Sequence, residues 1–588
     1  MHIPRSRLLV AGTVGIVLAA SASVPAAAVA PVTVEPAAVQ AAAKKSATTS
    51  KAEKRRVDRL KTPKLGWYKC YDTAQCATVL VPLDYDNPKG PKTEIALLRV
   101  KAKNQKKKIG SLFVNPGGPG GSATMFALSA PYFLSDSVLE RFDIVGVDPR
   151  GVGASANIKC FKSVREQTKV FSGMNVAFPY TKAEKSKYIK SAKAFGKGCS
   201  STGKPLSGAM STAEVARDME LMRRAVGDKK LTYLGFSYGT ALGQYYANMF
   251  PDRFRAIAAD GNIDPRQWVG NGANGNKILD ARMRSSDGAY KALQEIFRRC
   301  DKAGPTYCPF SDGNPANNFA AITKKLKAKP LVIREGGETF KITYADFIGA
   351  TLNMLYSTYA GDDVMRLAAD IAAMQNGGSA AVAAKANVVE RIKTAKAGGY
   401  DFPYENGFEA QSAVICTDGK HPKNATSWPA KTAARDKAAP YYGRAWGWID
   451  VQCASSTWKV QDEDAYRGPF NRRTAKPVLL IGNYWDPATN YRASVSSSKL
   501  LPNSRLLASN NWGHTAYGTS LCATAAIDRY LLSGRLPAKG TVCRDSRQPF
   551  TEKLPTDDQM KIKSVTGKQL PPVVAPRPSS VLTGGLVG

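Results

Sequence analysis

The sequence predicts an α/β chain: a doubly wound, mostly parallel sheet split by a large helical insertion. Three observations carry that reading. Short apolar strands alternate with helix-period stretches between Gly110 and Asp260, the rhythm of parallel strands joined by crossover helices. The rhythm lapses over residues 265–475, which are mostly helical in period. It returns with strands at 477–481 and 504–508 and a helix at 523–532. Between a strand at 231–234 and a helical run at 240–249 lies Gly235-Phe-Ser-Tyr-Gly239. This G-x-S-x-G turn has the strand-to-helix setting that holds a serine strained and exposed.

Taken in order, the first thirty residues have the form of a secretory signal. Arg5 and Arg7 precede an apolar run, Leu8 to Ala20, and Ala-x-Ala cleavage sites end at Ala28 and Ala30. No cysteine lies near those sites, and no later run reaches the ~18–20 apolar residues of a membrane span. An exported product without a transmembrane segment is expected. Residues 31–64, rich in Ala, Val and Pro and then in Lys, read as a flexible or pro-segment. The first part of the sheet domain, 65–264, opens with strands at 78–82 and 93–100 around the turn Asn87-Pro-Lys-Gly-Pro91. A strand at 110–114 leads into Asn115-Pro-Gly-Gly-Pro-Gly-Gly-Ser122, and one at 142–147 into Asp148-Pro-Arg-Gly-Val-Gly153. Residues 156–205 read as a Lys-rich excursion. Ser211-Thr-Ala-Glu214 is a capping box opening a helix, and a strand at 254–259 ends at Asp260. The insertion spans 265–475, the second part of the sheet domain 476–545, and a Pro- and Lys-rich tail 546–588.

The ten cysteines all follow the signal, as disulfides in an exported protein would. Connectivity is not deducible from spacing. Pairing of sequential neighbours is the simplest expectation: Cys70–Cys76, Cys160–Cys199, Cys300–Cys308, Cys416–Cys453 and Cys522–Cys543. With no C-x-x-C, no metal site is expected. The formal charge is +36, and +34 without the first thirty residues. Such a bias suits loose association with an anionic cell wall. It is spread along the chain, so nucleic acid is not an expected partner. No cofactor is expected either: Gly270-Asn-Gly-Ala-Asn-Gly275 fits a dinucleotide pattern, but no strand leads into it. Asp260-Gly-Asn-Ile-Asp264 starts like a calcium loop but has Pro265 at the glycine position.

A serine hydroxyl needs a general base. Three histidines exist: His2 in the signal, His421 in the insertion, and His514, just after the last strand. His514 fits the chain order Ser, acid, His of a sheet hydrolase. The acid is expected at a strand end. Asp486 follows the strand at 477–481, and Asp260 is the runner-up. An oxyanion hole calls for two preorganised N–H donors, for which Tyr238 and Gly118 are the candidates. Asp148 and Arg150 are expected to brace the glycine-rich loop.

The motifs at 115–122, 148–153, 235–240 and Trp485-Asp-Pro-Ala-Thr489 resemble those of the secreted tripeptidyl aminopeptidases of actinobacteria. These are α/β-hydrolases related to proline iminopeptidase. The resemblance covers roughly residues 65–545. It implies Ser237, Asp486 and His514 as triad, a helical cap, and release of short peptides from free N-termini. One departure is Asn490, where the family often has proline. An exopeptidase must hold a free ammonium, best met by carboxylates in a partly desolvated pocket. Glu405 and Asp418 in the insertion are the expected acids, with Glu409 next. An esterase or amidase acting on small acyl substrates, and a non-catalytic cell-wall-binding protein, are the competing readings.

Overall fold

A computed structural model describes residues 47–397 and 406–552. The signal, the start of the 31–64 segment, Glu405 and the tail beyond residue 552 lie outside the described residues.

The central strands are set by runs of apolar residues, nearly all of them buried. The central four are β4 (Gly110–Asn115), β5 (Phe142–Val147), β6 (Leu231–Phe236) and β7 (Phe254–Asp260). Side chains alternate between two apolar layers, as strand geometry requires. Phe113, Val145, Tyr233 and Ile257 join one core, while Leu112, Ile144, Leu234 and Ala258 join the other. On one flank β1 (Tyr68–Cys70), β2 (Ala74–Pro82) and β3 (Lys92–Val100) add antiparallel. On the other, β10 (Val478–Trp485), β11 (Ser504–Trp512) and β12 (Val542–Cys543) add parallel. The order is β1-β2-β3-β5-β4-β6-β7-β10-β11-β12. The chain steps from β4 to β5 on one side and then back to β6 on the other. The loops after β4 and β6 therefore diverge at a topological switch point, where open α/β sheets bind ligands. The pairing Asn115↔Gly235 sets the ends of these two strands side by side.

The insertion carries helices from Pro265–Val269 to Tyr442–Gly447. It also carries one hairpin that the periodicity passed over: β8 (Leu331–Glu335) and β9 (Glu338–Ile342). Gly336 and Gly337, both at positive φ, make its two-residue turn, a chemistry that was legible in the sequence. The helices Val164–Phe171 and Lys182–Ser201 of the Lys-rich excursion pack with the insertion, so the cap draws on two stretches of chain.

One expectation needs correction. The segment read as flexible contains the helix Lys51–Val57, whose Ser50 Oγ caps the Glu53 N–H and whose Val57 is fully buried. Arg217 pairs with Glu53 at 2.9 Å, and Arg224 donates to the carbonyl of Val57 at 2.8 Å. Composition hid this because the partners lie more than 150 residues away in sequence. The start of the tail is likewise packed: Arg547 pairs with Asp362, and Phe550 is buried. All five disulfides join sequential neighbours.

Candidate active site

Ser237 sits between β6 and the helix Tyr238–Met249 with φ 54°, ψ −124°, a conformation a non-glycine residue adopts only when its surroundings enforce it. Its N–H donates to the Asp260 carbonyl at 3.0 Å. A Cβ at Gly239 would stand 2.8 Å from Asn115 Oδ1, so only glycine lets the turn lie against the end of β4. From the other side, a Cβ at Gly117 (φ +95°) would meet Ser237 Cβ and the Tyr238 N at 2.9 Å each. The glycine-rich loop thus lies directly on the serine turn. The Gly117 N–H is held by Asn115 Oδ1 at 2.9 Å. Those of Gly118 and Tyr238 have no protein partner among the described residues. Asp148 braces this loop as expected, accepting from the Ser122 hydroxyl, the Thr124 N–H and hydroxyl, and the Ala154 N–H. Arg150 does not. It turns away to Asp218, Glu214 and the Pro82 and Leu83 carbonyls, drawn by buried carboxylates that no local pattern places.

His514 and Asp486 meet at the ends of β11 and β10, with Nδ1 2.8 Å from Oδ2. Asp486 is buried and accepts three further hydrogen bonds, from the N–H groups of Ala488 and Thr489 and the Thr489 hydroxyl, each at 2.8 Å. A carboxylate so held keeps the Nδ1 proton in place and leaves Nε2 with its lone pair. That Nε2 has no partner among the described residues. The cap secures the same ring: the His514 N–H donates to the Tyr356 carbonyl at 3.0 Å, and the Tyr356 ring lies edge-on at 5.3 Å.

Asp260, the runner-up acid, is fully buried and does not reach the imidazole. Its carboxylate accepts from the N–H groups of Ala516 and Tyr517 at 2.8–3.0 Å, while its carbonyl holds Ser237. Burial pushes it up to about 6, against the pull of those N–H donors and of His514. One residue therefore ties the serine turn to the histidine loop.

A pocket opens at Ser237 and Gly118. Its walls are apolar, from Trp268, Leu279, Met283, Ile415, Trp446 and Ile449, and among the described residues Asp280 is its one carboxylate. The choice of Asp418 fails. It is fully buried behind Trp268, accepting from the Trp268 indole N–H at 2.8 Å and from the Thr212 N–H and hydroxyl. Its role is to hold the pocket wall. Burial pushes it up to about 6, countered by these donors. Glu409 is buried beside Gln167. Nothing in the sequence setting of Asp280 distinguishes it. It accepts from Ser286 and Arg435, and burial raises it against Arg435's pull.

Strand order, strained serine and strand-end histidine define an α/β-hydrolase. A family model described as alpha/beta hydrolase fold matches residues 110–280, and one described as TAP-like protein matches residues 439–543. A tripeptidyl aminopeptidase of Streptomyces lividans is 31% identical over 487 residues, covering 81% of this chain and 84% of the relative. The chain belongs to the tripeptidyl aminopeptidase family of α/β-hydrolases. Other relatives are a Mycobacterium tuberculosis protein named serine protease Hip1 (28% identical, 82% and 92% covered) and one named carboxylesterase B (29%, 82% and 90%).

Proposed function

We propose that this enzyme is an exported serine exopeptidase that releases short peptides, tripeptides foremost, from free amino termini. The observation that carries the reading is the buried Asp486–His514 pair with an unpartnered Nε2, on a loop that Asp260 ties to the turn of a strained serine. Ser237 Oγ attacks the scissile carbonyl while His514 Nε2 takes its proton. The N–H groups of Gly118 and Tyr238 receive the oxyanion. His514 then protonates the leaving amine, and water enters by the reverse path to free the acyl group. Five disulfides support export.

The substrate ammonium is assigned to Asp280 on the pocket wall, with Glu405 retained as a second acid. The test is kcat/KM on matched free and N-acetylated tripeptide anilides. Acetylation is expected to remove most of the activity, and Asp280→Asn to raise KM for the free-amine substrate alone. Equal cleavage of both substrates would refute the exopeptidase reading. The esterase reading draws on the relative named carboxylesterase B, since serine, base and oxyanion donors serve esters as well. Turnover of acyl esters with none of any free-amine peptide would select it.

A further inference from the structure

The helix Lys182–Ser201 carries a strip of positive charge that the chemistry of the active site does not use. Its buried positions, Tyr188, Ala192, Phe195, Gly196 and Cys199, mark the face turned to the protein. At 3.6 residues per turn, Lys182, Lys187, Lys190, Lys193 and Lys197 fall on the opposite side. Only Ala and Ser share that face with them: Ala183, Ser186, Ala194 and Ser201. The helix has one acid, Glu184, and it is folded back to accept the N–H groups of Tyr180 and Thr181. The ion pairs of Lys103, Lys108 and Lys385 lie elsewhere, and none among the described residues involves Lys182, Lys187, Lys190, Lys193 or Lys197. From Lys182 to Lys197 the helix rises about 22 Å, which spaces the charges about 5–6 Å apart along it.

This arrangement costs stability that a merely soluble surface would not need to lose. Lys190–Lys193 and Lys193–Lys197 are like-charge neighbours at i,i+3 and i,i+4, an arrangement that destabilises a helix. Lys182, in the first turn, opposes the helix dipole. A glutamate at position 186 would add a favourable i,i+4 pair with Lys190 at no packing cost, because Ser186 is exposed. The bias is local too. Residues 156–205 hold eleven Lys or Arg against two acids, a net +9 of the chain's +36. The helix itself is held in place, since Cys199 ties it to Cys160.

We propose that this face docks a linear anionic glycopolymer, one charged unit along each step of the strip. The face itself argues against other polyanions. It offers no aromatic ring on which a base could stack, as single-stranded nucleic acid requires. It has no Trp, Phe or Leu with which to enter a lipid surface. It has no aromatic or Arg anchor of the kind that dominates protein interfaces. What remains is a row of flexible ammonium groups, suited to a flexible chain of carboxylates or phosphodiesters.

The test uses the full-length exported enzyme and measures retention on immobilised polygalacturonate as salt is raised. The quadruple variant Lys187→Glu, Lys190→Glu, Lys193→Glu, Lys197→Glu is compared with a control of equal charge change, Lys64→Glu, Lys101→Glu, Lys106→Glu, Lys107→Glu. The strip variant is expected to bind at least tenfold more weakly, with the slope of log K against log salt lower by about three. Peptidase turnover should be unchanged, which shows it is folded. The control should keep most of its binding. Equal loss in both variants would reduce the effect to overall charge and overturn the proposal. So would tighter binding to duplex DNA or to phosphatidylglycerol vesicles than to the polymer.

Discussion

Among the described residues stand two buried histidine–aspartate pairs, one at the strand ends of the sheet and one in the cap. Locally they are near copies: His514 Nδ1 lies 2.8 Å from Asp486, and His421 Nδ1 lies 2.9 Å from Asp450. Their other nitrogens differ. His421 Nε2 lies 3.0 Å from the Ile415 carbonyl, and Asp450 also accepts from the Leu279 N–H and the Trp428 indole. That ring is consumed in joining cap segments. His514 Nε2 has no such partner. A histidine beside an aspartate is therefore not by itself a base. What separates the two is whether packing spends the second nitrogen. Parallel strand ends all point to one side of the sheet and leave groups presented there, whereas helices packed on several sides absorb theirs.

The comparison can be broken most directly at the two histidines and the serine. Ser237→Ala and His514→Ala should each lower kcat by about 10³-fold or more with the fold intact. His421→Ala should keep turnover per folded molecule while losing about 1–3 kcal/mol of stability in urea titration, the cost of stranding buried partners. A catalytic loss at His421 with none at His514 would invert the assignment.

A smaller effect is expected where the sheet side depends on backbone placement. In Asp260→Asn, an amide NH2 replaces one acceptor facing the Ala516 and Tyr517 N–H groups. We expect kcat to drop about 10–100-fold with KM within about twofold, since a displaced histidine loop weakens the reaction and not the pocket. An unchanged kcat would show that the loop holds its own shape.

The mildest test concerns the cap's buried carboxyl. Asp418 is pushed up to about 6, above the unfolded carboxyl. Between about pH 4 and 6 the folded state therefore keeps a proton that the unfolded state has lost. Its contribution to stability is full below that window and is lost as pH rises through the folded value. In Asp418→Asn that fall should flatten by up to one proton, about 1.4 kcal/mol per pH unit, read from urea midpoints across the window. Identical slopes would count against a proton on Asp418.

Much of this molecule is decided locally, and so is legible in the chain itself. The parallel sheet follows from short apolar strands alternating with helical runs. The serine turn follows from glycines where side chains cannot fit, and Asp486 and His514 from their places just past the last strands. These are near-neighbour rules of sterics and periodicity, which a linear reading contains. The rest depends on what meets across the fold. Strand order alone sets the loop after β4 on the turn after β6. Only packing decided that Arg150 faces Asp218, that Asp418 lies behind Trp268 while Asp280 lines the pocket, and that the helix at residue 51 belongs to the core. A buried charge goes where its partner is, and partners 150 residues or more apart carry no signature in either one's sequence neighbourhood.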